Sequence, residues 1–149
     1  MNAFVNQYQS NQISTASPEQ LLIMLFDGAI RNVREARKAI AEGNRAGKAK
    51  SISKAVAIVT EFSNTLDFEV GGDIALNLWS LYDFIVRELT AVNVRDDAQR
   101  LNPVEKVLLD LREGFAEAAI INRRAPQQVP AAETAEQRVV AEARSGVME

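Results

Sequence analysis

Hydrophobic residues recur every three or four positions through most of the chain, which is the spacing of one helix face. This pattern predicts four helices, at about residues 18–42, 47–70, 74–94 and 103–122. No segment shows the strict alternation that is typical of a half-buried strand. The links between the predicted helices are short, and short links favour antiparallel neighbours. We therefore expect an all-α fold, an antiparallel up-down-up-down four-helix bundle.

Two of the predicted helices begin with similar local signals. Ser17 can cap the first helix, Pro18 takes the first helical position, and Gln20 can complete a capping box. Residues 102–105, Asn-Pro-Val-Glu, repeat this order of cap, proline and acceptor. They predict the start of the fourth helix, with an earlier start near Asp97 as the alternative.

Each predicted helix carries a line of apolar residues that would face the core of the bundle. The predicted core residues are Leu22, Leu25, Phe26, Ala29, Val33, Ala36 and Ile40 on the first helix, Ile52, Val56, Val59, Phe62, Leu66 and Val70 on the second, Ile74, Leu78, Leu81, Ile85, Leu89 and Val92 on the third, and Val104, Val107, Leu108, Leu111, Phe115 and Ala118 on the fourth. Gly71 and Gly72 would end the second helix, and Asp73 could cap the third.

The two terminal segments differ in composition from the predicted bundle, which we place at residues 17–123. Residues 1–16 are polar with a few apolar positions, among them Tyr8 and Ile13. We predict a mobile N-terminal arm whose apolar residues dock on the bundle, and a frayed terminus is the alternative. Residues 124–149 contain two prolines and are then rich in Ala, Glu and Arg. This composition predicts a flexible C-terminal tail.

Two of the predicted helices carry more apolar surface than a bundle core requires, since a core stripe covers a little over about 100° of each helix. Trp79, Tyr82 and Val86 widen the stripe on the third helix, and Leu109 and Ile120 form a second stripe on the fourth. A contiguous exposed patch usually marks a partner site, and an amphipathic helix is its natural occupant. The alternatives are a crossing angle that buries these residues or a homodimer.

Composition and charge exclude several functional classes. The chain has 149 residues, 47% of them hydrophobic, and a net charge of −3, which suits one ordinary globular domain. It contains no histidine and no cysteine, so imidazole or thiolate metal sites and Ser–His or Cys–His nucleophilic pairs are excluded within it. The acidic balance argues against nucleic-acid binding. No apolar run predicts membrane insertion, and the N-terminus does not resemble a secretory signal. We predict no enzymatic activity, no metal and no cofactor.

Two further features of the first helix have a structural and a functional interpretation. Arg31, Arg34 and Arg37 form a basic stripe that could steer an acidic partner, although a solvated helix face is the simpler interpretation. Asp27 is followed by Gly28 in mid-helix, where glycine costs about 1 kcal/mol relative to alanine. Close packing or a partner contact would explain the glycine.

Two segments of the sequence resemble a known family. They are STASPEQLLIMLFDGAIR, from Ser14 to Arg31, and KAVAIVTEFSNTLDFEVGGDIALNLWSLYDFIVREL, from Lys54 to Leu89. Both are similar to the flagellin-specific export chaperones, the flagellar secretion chaperone S family. The resemblance covers about residues 4–121 without large gaps. Phe26 stands where the family usually has tyrosine, and the tail is longer than is usual in the family.

The resemblance implies a cytoplasmic chaperone that performs no chemistry. It implies a bundle that binds the disordered C-terminal segment of flagellin, prevents premature polymerisation and brings the subunit to the flagellar export gate. The expected partner-binding residues are Tyr8 and Ile13 in the arm, Phe26, Asp27 and Gly28 in the first motif, and Trp79, Tyr82, Val86, Leu109 and Ile120 in the groove. We expect a monomer or a weak homodimer. The alternative function is a structural or adaptor bundle that homodimerises through its extra apolar stripes.

Overall fold

The computed structural model describes residues 17–124, with side chains as far as residue 121. Within these residues the chain forms four α-helices, α1 (Pro18–Ala41), α2 (Arg45–Asn64), α3 (Phe68–Arg95) and α4 (Leu101–Arg124), with a short 3-10 helix (Ala98–Arg100) before α4. The predicted all-α four-helix bundle is confirmed. The predicted arm and the predicted tail beyond Arg124 lie outside the described residues.

The helices form a four-sided bundle in which each helix is antiparallel to its two neighbours. Helices α1 and α3 each pack against both α2 and α4, and the contact between α3 and α4 is the smallest of the four. The core contains most of the predicted residues, because a period of 3.6 places them on one face of each helix. The largest fully buried side chains are Phe26, Ile85, Leu89, Leu101, Leu108, Val33, Val59, Val92 and Val104.

An aromatic cluster joins all four helices within the core. The ring of Phe26 lies 4.6 Å from that of Phe62 and 5.5 Å from that of Phe115, between centroids. Phe62 in turn lies 5.6 Å from the ring of Tyr82. Centroid separations of this size are typical of favourable aromatic pairs. The side chain at position 26 is therefore a central core residue.

The start of α1 confirms the predicted capping box. The backbone N–H of Gln20 donates to the hydroxyl of Ser17 at 3.1 Å, and the backbone N–H of Ser17 donates to the side chain of Gln20 at 2.9 Å. Pro18 lacks an N–H and occupies a position where none is needed. The helix ends at Ala41, and Gly43 follows with a φ of 68°, which favours glycine.

The predicted end of α2 is wrong by about six residues. The helix ends at Asn64, and the hydroxyl of Thr65 then donates to the backbone oxygen of Phe62. Asp67 starts α3 by accepting hydrogen bonds from the two backbone N–H groups after Phe68. The predicted break appears within α3, at Gly72, whose φ of 52° is not helical. Val70 is consequently exposed instead of buried in the core.

The start of α4 corresponds to the earlier of the two alternatives. Asp97 accepts a hydrogen bond from the backbone N–H of Gln99 and starts the 3-10 helix, which continues into α4 at Leu101. Asn102 therefore lies inside the helix, and its side-chain oxygen accepts from Nη2 of Arg37 at 3.1 Å. The predicted cap at Asn102 is wrong, because Asp97 caps the 3-10 helix that continues into α4.

Candidate partner-binding surface

The contacts made by α3 show which of its two edges faces which neighbour. Tyr82 lies against Phe62 of α2, and it is only 3% exposed. Glu88 accepts a hydrogen bond from Arg100, which immediately precedes α4, at 2.9 Å. The edge that carries Tyr82 therefore faces α2, and the edge that carries Glu88 faces α4.

The helical register assigns the exposed apolar residues of α3 to these two edges. At about 100° per residue, Trp79 and Val86 belong to the α2 edge, beside Tyr82. Leu81 and Phe84 belong to the α4 edge. Trp79 is 44% exposed and Val86 is half-buried, whereas Leu81 and Phe84 are 37% and 38% exposed. The prediction of Leu81 as a core residue is wrong, because the inward positions of α3 turn slightly toward α2 and bury Tyr82 instead.

Ion pairs identify the edge of α4 that faces α1. Arg112 donates to Asp27 of α1, and this bond raises the pKa of the guanidinium. Glu105 accepts from Nε of Arg34 at 2.9 Å. A cleft of about 490 Å³ runs along this edge, and the side chain of Leu109 forms part of its wall. Its lining residues are Asp27, Ile30, Arg31, Arg34, Glu35, Leu109 and Arg112.

The predicted groove residues consequently belong to two different faces of the bundle. By register, Ile120 lies on the same edge as Leu109, toward α1, and both are about two-fifths exposed. Trp79 and Val86 lie on the edge of α3 that faces α2. The α1–α4 and α2–α3 sides of a four-sided bundle are opposite each other. The structure therefore does not bring the four residues into one groove.

A different surface lies along the α3–α4 side of the bundle, where the two helices make their smallest contact. We call it the α3–α4 groove, and by register its residues are Leu81, Phe84, Leu111, Gly114 and Ile121. Leu81, Phe84 and Ile121 are exposed, and Leu111 packs partly on the core. Apart from the adjacent residues and backbone of α4 itself, no atom of the described residues lies within 4 Å of the position that a Cβ on Gly114 would take. The surface of α4 is thus open here to a close approach by another chain.

Exposed apolar side chains are concentrated along the first part of α3 and at the end of α4. Among the described residues, six of the ten large exposed ones lie between positions 68 and 84. These six are Phe68, Val70, Leu76, Trp79, Leu81 and Phe84. Two of the other four, Ile120 and Ile121, are at the end of α4 that antiparallel packing places beside the start of α3. The sequence pattern missed Leu81, Phe84 and Ile121, since periodicity does not show which neighbour covers a helix edge.

The remaining predicted site residues have structural contacts. Phe26 is fully buried in the aromatic cluster. Gly28 is buried, and a Cβ at that position would lie 3.4 Å from Cδ1 of Ile58 in α2. This distance is an ordinary van der Waals contact with the end of a side chain, so packing alone does not require a glycine at position 28. Tyr8 and Ile13 lie outside the described residues.

The basic stripe of α1 is largely paired within the bundle. Arg34 and Arg37 both bond the carboxylate of Glu105, at 2.9 and 2.7 Å. Burial alone would raise the pKa of Glu105, but hydrogen bonds and attraction from Arg37 and Arg34 outweigh it and lower that pKa. Two members of the stripe thus hold α1 against α4, which favours the structural interpretation for them. Arg31 is exposed and lines the cleft.

The fold and the α3–α4 groove are typical of helical bundles that accommodate an amphipathic helix of a partner. Comparison with known proteins gives the particular family. The chain matches the family model described as "Flagellar protein FliS" over residues 1–122. It therefore belongs to the FliS family of flagellar secretion chaperones.

Curated relatives support this assignment. The chain is similar to the flagellar secretion chaperone FliS of Salmonella typhimurium, with 37% identity over 116 residues, which cover 77% of this chain and 86% of that protein. The corresponding protein of Vibrio cholerae is 33% identical over 115 residues, covering 77% and 85%. That of Bacillus subtilis is 29% identical over 117 residues, covering 78% and 86%. These relatives are secretion chaperones, which confirms the non-enzymatic class.

None of the helices between residues 17 and 124 is both long and apolar enough to cross a bilayer.

Proposed function

We propose that this protein binds the disordered C-terminal segment of flagellin in the cytoplasm, prevents its premature polymerisation and assists its export. Delivery to the flagellar export gate is part of the same proposal. The observation that carries it is the exposed apolar surface around the α3–α4 groove in a member of a secretion-chaperone family. An unassembled subunit with an uncovered apolar helix face would be a suitable occupant.

The driving force for binding would be burial of apolar surface. Removing apolar area from water contributes about 25 cal/mol per Å². Leu81 and Phe84 would supply that area on one wall of the groove, and Ile121 on the other. Gly114 would let the backbone of the guest helix approach α4 closely. Ordering a disordered segment opposes these contributions, so the groove must be long enough to cover several turns of the guest.

The apolar residues on the other faces suggest a guest that wraps around the bundle. Trp79 and Val86 would contact the guest where it passes the edge of α3 that faces α2. Leu109 and Ile120 would contact the guest where it passes the edge of α4 that faces α1. Tyr8 and Ile13 are the proposed contacts from the arm. The predicted contact residues at 26, 28 and 82 are buried, so we assign them to support of this surface, with Asp27 holding α4 through Arg112.

Calorimetric titration with a peptide of the flagellin C-terminal segment tests the proposal. We expect the substitution Phe84→Asp to weaken binding at least tenfold, because it places a carboxylate in the apolar groove. The matched control is Val94→Asp. Val94 is also on α3 and is 76% exposed, but it lies near the C-terminal end of the helix and, by register, outside the α3–α4 groove. Far-ultraviolet circular dichroism of both variants reports whether the bundle remains folded.

Two results would contradict the proposal. One is a wild-type affinity no better than millimolar, and the other is an equal effect of Phe84→Asp and Val94→Asp. Sedimentation of the same samples tests the alternative function. A stable dimer that the peptide does not dissociate would favour a homodimerising bundle.

A further inference from the structure

Charged residues are segregated along the described part of the chain. Every lysine and arginine among residues 17–121 falls within segments 31–54 or 87–112. The three other segments, 17–30, 55–86 and 113–121, contain acidic residues and no basic one. Their nine acidic residues are Glu19, Asp27, Glu61, Asp67, Glu69, Asp73, Asp83, Glu113 and Glu117.

The antiparallel fold brings these three segments to the same end of the bundle. This end holds the start of α1, the end of α2, the link to α3 with about the first two-thirds of that helix, and the end of α4. It is also the end at which the exposed apolar side chains of α3 and α4 are concentrated. We call it the open end. The open end is therefore apolar, and its nine acidic residues outnumber the two arginines, Arg123 and Arg124, that end α4.

Most of these carboxylates have no cationic partner among the described residues. Asp27 pairs with Arg112, and Asp83 pairs with Arg87. The exposed carboxylates without such an ion pair are Glu61, Glu69, Asp73, Glu113 and Glu117. Uncompensated like charges within about 10 Å of one another raise the local negative potential at ordinary ionic strength.

Two of these carboxylates border the α3–α4 groove itself. By register, Asp73 lies on the same edge of α3 as Phe84. Glu117 lies on the outward face of α4, adjacent to Ile121 on the helix surface. A guest helix seated in the groove would place the borders of its apolar face beside them. Lysine and arginine at those borders would keep their apolar stems on the groove while their charges meet the carboxylates.

We infer that the open end selects partner helices whose apolar face is bordered by lysine or arginine. This inference rests on the proposed function and specifies the chemistry of the guest segment. Electrostatic complementarity of this kind contributes mainly to specificity and to the rate of association. The apolar groove supplies the affinity, and the acidic border rejects acidic helices.

Other occupants of the groove fit the same charges less well. Residues 1–16 contain no lysine, arginine, aspartate or glutamate, so the arm of the protein offers no charged side chain to the acidic border. A second copy of the bundle would bring the same carboxylates against each other, and like charges at an interface are unfavourable. Charge complementarity thus favours a basic segment of another protein.

A pair of peptides tests the inference directly. Both are based on the C-terminal segment of flagellin, with the positions that border its apolar face changed to lysine in one and to glutamate in the other. We expect the lysine peptide to bind at least tenfold more tightly at 50 mM salt. The ratio should fall toward one at 500 mM salt, because salt screens exposed charges.

Two charge-reversal variants locate the effect. The variant Asp73→Lys/Glu117→Lys should lose or reverse the preference for the lysine peptide. The control Glu35→Lys/Glu42→Lys makes the same change in net charge. Its two carboxylates are exposed and without an ion pair among the described residues, but they lie outside the open end. The control should retain the preference.

The possible failures are distinguishable. If the unmodified flagellin segment binds but the two peptides bind equally, or if both charge-reversal variants behave alike, the inference is wrong and the proposed function stands. If the unmodified segment does not bind at all, the proposed function itself fails. Dimerisation that is strengthened by high salt would instead identify a second copy as the occupant and overturn the inference.

Discussion

The two ends of the bundle are constructed differently. At the end opposite the open end, which we call the clasped end, Lys48 of α2 is only 7% exposed. Its ammonium donates to the backbone oxygen of Asn93 at 2.9 Å and to the carboxylate of Asp96. Arg100 bridges α3 and the start of α4 through Glu88. A cation near the last carbonyl groups of a helix is favourable, so this end of α3 is held firmly.

Across the helices, the open end is held by the ion pair between Asp27 of α1 and Arg112 of α4. Its link passes through Asp67 and Gly72, and its apolar side chains face outward on α3. The comparison indicates a division of roles within one small fold. Polar bonds at the clasped end and the buried aromatic cluster stabilise the bundle, which leaves the apolar surface of the open end available for a partner.

The largest expected effect tests whether the core near the open end is as tightly packed as the core near the clasped end. Phe26 is fully buried and contacts Phe62 and Phe115. The substitution Phe26→Ala should lower the free energy of unfolding by about 3–5 kcal/mol, because it removes apolar contacts and leaves a cavity. Urea denaturation measures the change. A loss of stability below about 1 kcal/mol would show that the core near the open end is loosely packed, in addition to the exposed apolar side chains on its surface.

The next effect tests the clasped end. The substitution Lys48→Met removes the ammonium and leaves the backbone oxygen of Asn93 without that donor. We expect the free energy of unfolding to fall by about 1–3 kcal/mol, because hydrogen bonds made by a charged group are lost. The control Lys50→Met changes an exposed lysine on the same helix and should alter stability by no more than about 0.5 kcal/mol. Equal effects in the two variants would mean that Lys48 does not stabilise the clasped end.

The smallest effect is a dependence of stability on pH. The hydrogen bond from Lys48 lowers the pKa of Asp96, and the bonds from Arg37 and Arg34 outweigh burial and lower the pKa of Glu105. A carboxylate with a lowered pKa in the folded state contributes stability above its unfolded pKa, about 3.9 for Asp and 4.3 for Glu. That contribution is lost as the pH falls through the folded-state pKa.

Urea midpoints between about pH 2 and pH 7 measure this dependence. The wild-type midpoint should decrease on acidification below about pH 4, and the variant Asp96→Asn/Glu105→Gln should show a smaller decrease. An unchanged dependence in the variant would assign acid sensitivity to other carboxylates, and the clasped end would then contribute nothing to it.

Local features of the fold were predictable from the sequence. The capping box of Ser17 and Gln20 was predicted correctly because its partners are three residues apart and need no tertiary contact. The existence of four helices followed from apolar periodicity. The family resemblance, carried by residues 14–31 and 54–89, was likewise recognisable before the structure.

Features that depend on neighbouring helices were not predictable in the same way. Leu81 and Tyr82 are adjacent, and only the direction in which α3 leans on α2 decides which of them is buried. The role of Lys48 depends on a carbonyl oxygen 45 residues away. The α3–α4 groove was missed for the same reason, because a small contact between two helices leaves no periodic signal in either.

The position of Trp79 provides an optical probe of the bound state. It is the single tryptophan of the chain, and its side chain is partly open to solvent on the edge of α3 away from the groove. A guest confined to the α3–α4 groove would leave its fluorescence emission nearly unchanged. A guest that continues around α3 would cover the indole and shift its emission to shorter wavelength, so the unlabelled protein itself can report the path of the bound chain.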